Sequence, residues 1–170
     1  MSNIVKISDF IGFRYIANNK ACEQRLQYFI DEYEDYYLTK LLGCELTPLF
    51  LADLVDGVPQ KAEYLELYNK FCIEFYGKEY YSKGMVKCLT GLIYYHYVRE
   101  DTYKHSLAGV VKNSNENSEV LSGANLERVA ETRYNDSVNS FNAISLKAYD
   151  LELLEAGKVN KLEVKFIDLV

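Results

Sequence analysis

The side chains best suited to acid–base chemistry near neutral pH are His96 and His105, the chain's two histidines. A catalytic imidazole needs a nucleophile beside it or a carboxylate to orient it. His96 stands in the run Tyr94-Tyr95-His96-Tyr97 and reads as a satisfied core or interface histidine, whereas His105 opens a loop and reads as exposed. Ser106, Ser114, Ser118 and Ser122 share that loop sequence without a GxSxG elbow, so turn hydrogen bonding is their expected task. Lys83 lies between Gly77 and Gly84, but neither GxGxxG nor GxxxxGK occurs, so nucleotide binding is not expected. Arg99-Glu100-Asp101 read as helix-end charges that meet solvent or a neighbour. Glu23, Asp31, Glu32, Glu34 and Asp35 have no histidine at an adjacent turn and read as a solvated acidic face, not a metal site. Cys22, Cys44, Cys72 and Cys88 are scattered through apolar stretches without a CxxC pair and read as buried thiols of a reducing compartment. No catalytic, cofactor-binding or metal residue is assigned, and the expectation is a protein that is not an enzyme and takes no cofactor.

The elements that would position these residues are mainly helical. Residues 1–19, with Ile4-Val5-Lys6-Ile7 and Phe10-Ile11-Gly12-Phe13, read as an extended arm or short strand. From Lys20 onward Leu26, Phe29, Ile30, Tyr33, Tyr36, Tyr37 and Leu41 recur at three-and-four spacing, which predicts a helix stopped by Gly43. Thr47-Pro48 predicts the start of a short helix that ends near Asp56-Gly57. A third helix is expected from Lys61 to Tyr76, on the stripe Tyr64, Leu65, Tyr68, Phe71, Cys72 and Phe75. Ser82 to about Tyr103 leaves hardly any polar face, the mark of a central core helix, and completes a helical core over 20–104. Residues 105–123 read as a projecting loop or hairpin with Leu107, Val110 and Val111 as its apolar contact residues, because so long a connection in a small domain tends to be functional. A long helix over 124–157 is predicted by Leu126, Val129, Ala130, Tyr134, Val138, Phe141, Ile144 and Ala148. The tail 158–170 sets Leu162, Val164 and Phe166 against Lys161, Glu163 and Lys165, a period of two that predicts a strand open to pairing. The expected whole is one mainly α domain: a helical bundle with a projecting β-hairpin or loop and extended, strand-forming termini.

At 170 residues and 49% hydrophobic content the chain can bury one core, roughly 70% of its unfolded surface. No apolar stretch reaches the roughly 18 to 20 residues that span a bilayer, and MSNIVKISDF lacks a basic segment leading into an apolar run, so a soluble protein made in a cytoplasm is expected. A net charge of -6 argues against gripping a phosphate backbone. Sixteen tyrosines and no tryptophan supply rings with polar tips, a residue type favoured at protein interfaces.

Between Leu41 and Ile144 an ordered set of features carries a resemblance. They are the helix end Leu41-Leu42-Gly43, the step Lys83-Gly84 opening an aromatic helix that closes in Tyr94-Tyr95-His96-Tyr97-Val98-Arg99, the block Ser106-Leu107-Ala108-Gly109-Val110-Val111, the polar Asn115-Glu116-Asn117-Ser118, and a long helix containing Arg133-Tyr134-Asn135. In this order they resemble the head-to-tail connector, or adaptor (ring), proteins of tailed phages that infect Bacteroides and related gut bacteria, including the crAss-like phages. Ser106 stands where that pattern has Thr. The resemblance implies a structural virion protein of the phage neck, made in the host bacterial cytoplasm and forming a ring homo-oligomer, a dodecamer, that joins portal to tail and extends the DNA exit channel. Its implied partners are its own copies, the portal protein and neighbouring neck or tail proteins, with double-stranded DNA passing through without specific binding and no membrane involved. The alternatives are another neck or tail-completion protein, or a small helical regulatory binding module.

Overall fold

The computed structural model describes residues 4–10, 12, 20–106, 109–112, 123–155 and 158–164, with 101–106, 109–112 and 123–127 described by backbone alone. The protein is mainly α, with helices α1 (Lys20–Ala52), α2 (Ala62–Tyr68), α3 (Met85–Thr102) and α4 (Gly123–Asp150). Among the described residues three two-stranded antiparallel hairpins join them: β1 (Leu54–Val55) with β2 (Val58–Pro59), β3 (Phe71–Phe75) with β4 (Lys78–Ser82), and β5 (Tyr103–Ser106) with β6 (Gly109–Lys112). α3 is the central helix, as its sequence predicts: Met85, Cys88, Leu89, Leu92, Ile93, Tyr94, Tyr95, Tyr97 and Val98 are all buried, because it packs on α4 along one side and on α1 along another. On α4 the stripe Ala130, Tyr134, Val138, Phe141, Ile144 and Ala148 faces the same core.

Gly43 interrupts α1 with φ 78° and ψ 166°, a conformation open to glycine and strained for other residues. The chain re-enters helix at once instead of waiting for Thr47-Pro48. Thr47 marks the break in a different way: its hydroxyl donates to the Gly43 carbonyl at 2.7 Å and to the Leu38 carbonyl at 3.3 Å, satisfying acceptors the kink leaves exposed. The third expected helix is cut short. α2 stops at Tyr68, and 71–75 is a strand, because Tyr76 (φ 50°) and Gly77 (φ 72°) form a two-residue turn whose twist suits a hairpin. Phe71, Ile73 and Phe75 point inward and Cys72 and Glu74 outward, so a run that fits helical spacing fits a period of two as well. Asp56-Gly57 makes the same kind of turn between β1 and β2.

Residues 4–5 and 162, toward the two ends of the described chain, are held by side chains. Ile4 and Val5 are buried, and their amides donate to the Glu34 carboxylate at 3.1 and 2.8 Å. Glu34 therefore belongs to the core and not to the solvated face the sequence suggests. The arm then makes a 3-10 turn, Ile7–Phe10, in which Asp9 accepts from the Lys6 amide at 2.7 Å. α4 ends earlier than expected: the Leu153 amide reaches the Ala148 carbonyl and the Glu152 amide that of Tyr149, with Glu152 at φ 58°, a pattern that closes a helix. Beyond it the expected C-terminal strand is absent over 158–164. The Leu162 amide donates to Asn142 Oδ1 at 2.9 Å and its carbonyl accepts from Asn142 Nδ2 at 3.1 Å, so a carboxamide on α4 takes the part of a neighbouring strand. Residues 165–170 lie outside the described residues.

Candidate functional site

The polar groups converge most densely where α1 crosses α3. The Tyr33 ring stacks on His96 at 3.9 Å between centroids, and its hydroxyl donates to Glu100 Oε1 at 2.6 Å. Tyr37 Oη lies 2.8 Å from His96 Nε2, and Glu100 Oε1 is 3.8 Å from Nδ1. Burial, and for Tyr33 also the Glu100 carboxylate, hold both phenols far above their ordinary pKa, so each remains a donor across the physiological range. Nε2 of the histidine is thus partnered by Tyr37, and Nδ1 faces the Glu100 carboxylate. Phe29 packs edge-on against Tyr97, and the Arg99 guanidinium donates to the Tyr95 hydroxyl at 2.8 Å, which extends the seam without adding a nucleophile to it. Glu100 of the helix-end triplet bridges to a neighbouring helix, as read; the side chain of Asp101 is not described.

Across the other side of α3 the seam with α4 is close. A Cβ at Gly91 would stand 2.0 Å from Ser137 Oγ and 3.1 Å from the Arg133 carbonyl, so any added side chain must displace Ser137 and crowd the α4 backbone. The Cys88 thiol, raised in pKa by full burial, donates to the Ser137 carbonyl at 3.3 Å. Lys83-Gly84 opens the helix with Gly84 at φ 95°, the Lys83 ammonium pairing with Asp136 at 2.7 Å. Of the other cysteines Cys22 is half-buried and Cys44 and Cys72 are exposed, which corrects the reading of four buried thiols. Cys44 follows the Gly43 break, and Cys72 takes the outward phase of β3. Among the described residues no group of His, Cys, Asp and Glu is placed to hold a metal ion.

Two clefts of opposite charge flank the N-terminal arm and share no lining residue. One, about 860 Å³, is lined by Lys70, Lys83, Lys87 and Arg133 with Asp9 and Asp136. The other, about 1240 Å³, has Asp31, Glu34, Asp35 and Asp56 with Lys6 as the one cation among its described lining residues. Sequence reading missed the basic cleft, since it gathers charges from segments far apart in the chain, whereas Asp31, Glu34 and Asp35 of the other belong to the acidic face it named.

The expected contact residues fare unevenly. Leu107 and Phe166 lie outside the described residues, and Val110 and Val111 are placed in β6 by backbone alone, paired with His105 and Lys104. Leu162 is buried against its own α4 through the Asn142 clasp and is unavailable to a partner, a correction to its reading as an interface residue. Val164 is exposed.

The structure thus defines a mainly α domain with short hairpins, whose polar residues serve helix packing and oppositely charged surfaces. Residues 28–142 match the family of unknown function DUF6712, and the chain belongs to that family. The matched interval runs from α1 to α4 and contains both seams and all three hairpins. No curated protein and no solved structure matches the chain. Among the described residues no helix is long and apolar enough to cross a membrane.

Proposed function

We propose that this chain is a structural virion protein of a phage neck, one subunit of a ring that joins the portal to the tail and extends the DNA exit channel. The observation that carries the reading is the hairpin β5–β6, which follows directly on the end of α3 and forms a two-stranded sheet of its own. A rigid α3–α4 pair with a hairpin at its end is suited to contacting another subunit or a neighbouring ring. Of the features behind the resemblance, Lys83-Gly84 opens α3, Tyr94 to Arg99 lie in its second half, Gly109 to Val111 form the returning strand, and Arg133 to Asn135 lie within α4. Partners are then further copies, the portal protein and adjacent neck or tail proteins, with DNA sliding past a wall that a net charge of -6 keeps acidic or neutral. Light scattering on the purified chain, alone and with a portal protein from the same genome, tests this. A ring-sized particle, or ring-sized addition to the portal, is expected; a monomer or dimer indifferent to portal contradicts it and favours a helical regulatory module.

A further inference from the structure

The basic cleft is unusual in an acidic protein. Lys83 is engaged by Asp136, but neither Lys70 nor Lys87 meets a carboxylate within ion-pair distance among the described residues. On the outer face of α1, Tyr28, Glu32, Asp35 and Tyr36 fall at spacings of three, four and seven or eight and form one exposed ridge, with Tyr28 61% and Tyr36 52% accessible. Rings this exposed, set among carboxylates, have a natural counterpart in a cleft of lysines and an arginine. Lys and Arg pair with the acids and lie over aromatic faces. The two acids inside the cleft, Asp9 and Asp136, narrow the choice of ligand: tyrosine hydroxyls can donate to them, whereas a phosphodiester backbone offers no donor and is repelled.

We propose that the cleft holding Lys70, Lys83, Lys87 and Arg133 receives the acidic, tyrosine-bearing ridge of α1 from a second copy of this chain. This rests on the ring reading above and specifies its subunit contact. Because ridge and cleft are different surfaces, the contact can run head-to-tail, and it then generates a ring when the rotation between copies closes. Two full-length variants test it, both altered only at exposed positions: a ridge variant with Glu32→Lys and Asp35→Lys, and a cleft variant with Lys70→Glu and Lys87→Glu. Circular dichroism checks that each keeps its fold, and sedimentation velocity is run with wild type in parallel, with portal present if wild type needs it. Each variant alone is expected to sediment as a monomer at concentrations where wild type assembles. An equimolar mixture should regain assembly, because every junction then pairs a wild-type ridge with a wild-type cleft or two reversed surfaces with each other. Variants that assemble alone as wild type does, or a mixture that stays monomeric, overturn the contact while leaving the ring reading standing. A wild type that never assembles removes both. Retention of a labelled DNA duplex by wild type and its loss in the cleft variant would identify phosphate as the occupant and also overturn the contact.

Discussion

The two seams of α3 are built on different principles. Toward α4 the helix presents Gly91 to Ser137 and a backbone carbonyl, and the Cys88 thiol bonds the Ser137 carbonyl, so close approach dominates the seam. Toward α1 it presents His96 and Glu100, and the partner answers with Tyr33 and Tyr37, so the alignment is set by hydrogen bonds among large rings. A seam of the first kind tolerates almost no added volume. One of the second kind loses its bonds singly and keeps its ring contacts.

The largest expected effect lies in the close seam. Gly91→Leu must push α3 from α4 and should cost about 3 kcal/mol or more in chemical denaturation. Gly91→Ala should cost less, partly offset by alanine's helix propensity, and adding Ser137→Ala should recover part of the loss, since Ser137 Oγ is the nearest atom met. Equal stability of Gly91→Leu and wild type would break the comparison.

In the polar seam Tyr37→Phe leaves His96 Nε2 without its partner and should cost about 1 kcal/mol, with Tyr33→Phe costing less because its Glu100 partner can turn to water. The same denaturation series ranks them, and a loss at Tyr37 that exceeds the one from Gly91→Leu reverses the contrast.

A smaller, pH-dependent effect is expected at the arm. Burial raises the Glu34 pKa, with the Ile4 and Val5 amides opposing it in part. The folded state therefore holds this proton more tightly than the unfolded chain. Stability relative to Glu34→Gln should fall as pH rises from the ordinary carboxyl range through the elevated folded value, and be flat above it. A difference that grows with pH over that window would mean the amide bonds outweigh the burial.

How much of this was legible follows from where the information sits. The buried stripes of α3 and α4 repeat along one helix, so periodicity alone reveals them. The run Phe71 to Phe75 serves two periods equally, and only the Tyr76-Gly77 turn decides for a strand. Glu34, Asn142 and the basic cleft were illegible because each acts on groups distant in sequence: Glu34 on amides 29 and 30 residues earlier, Asn142 on a backbone 20 residues later, and Lys70 and Lys87 beside Arg133. His96 was read correctly because its neighbours in sequence already supply its surroundings, although the tyrosines that bond and stack on it come from α1.

The most direct test of the ring reading is a cryo-electron-microscopy reconstruction of this chain bound to the portal protein from the same genome. A ring of copies beneath the portal is expected, with the β5–β6 hairpin of each copy against another subunit or the adjoining ring and an acidic or neutral wall lining the channel. A portal without added density, or a ring whose channel is lined by a continuous basic surface, would contradict it.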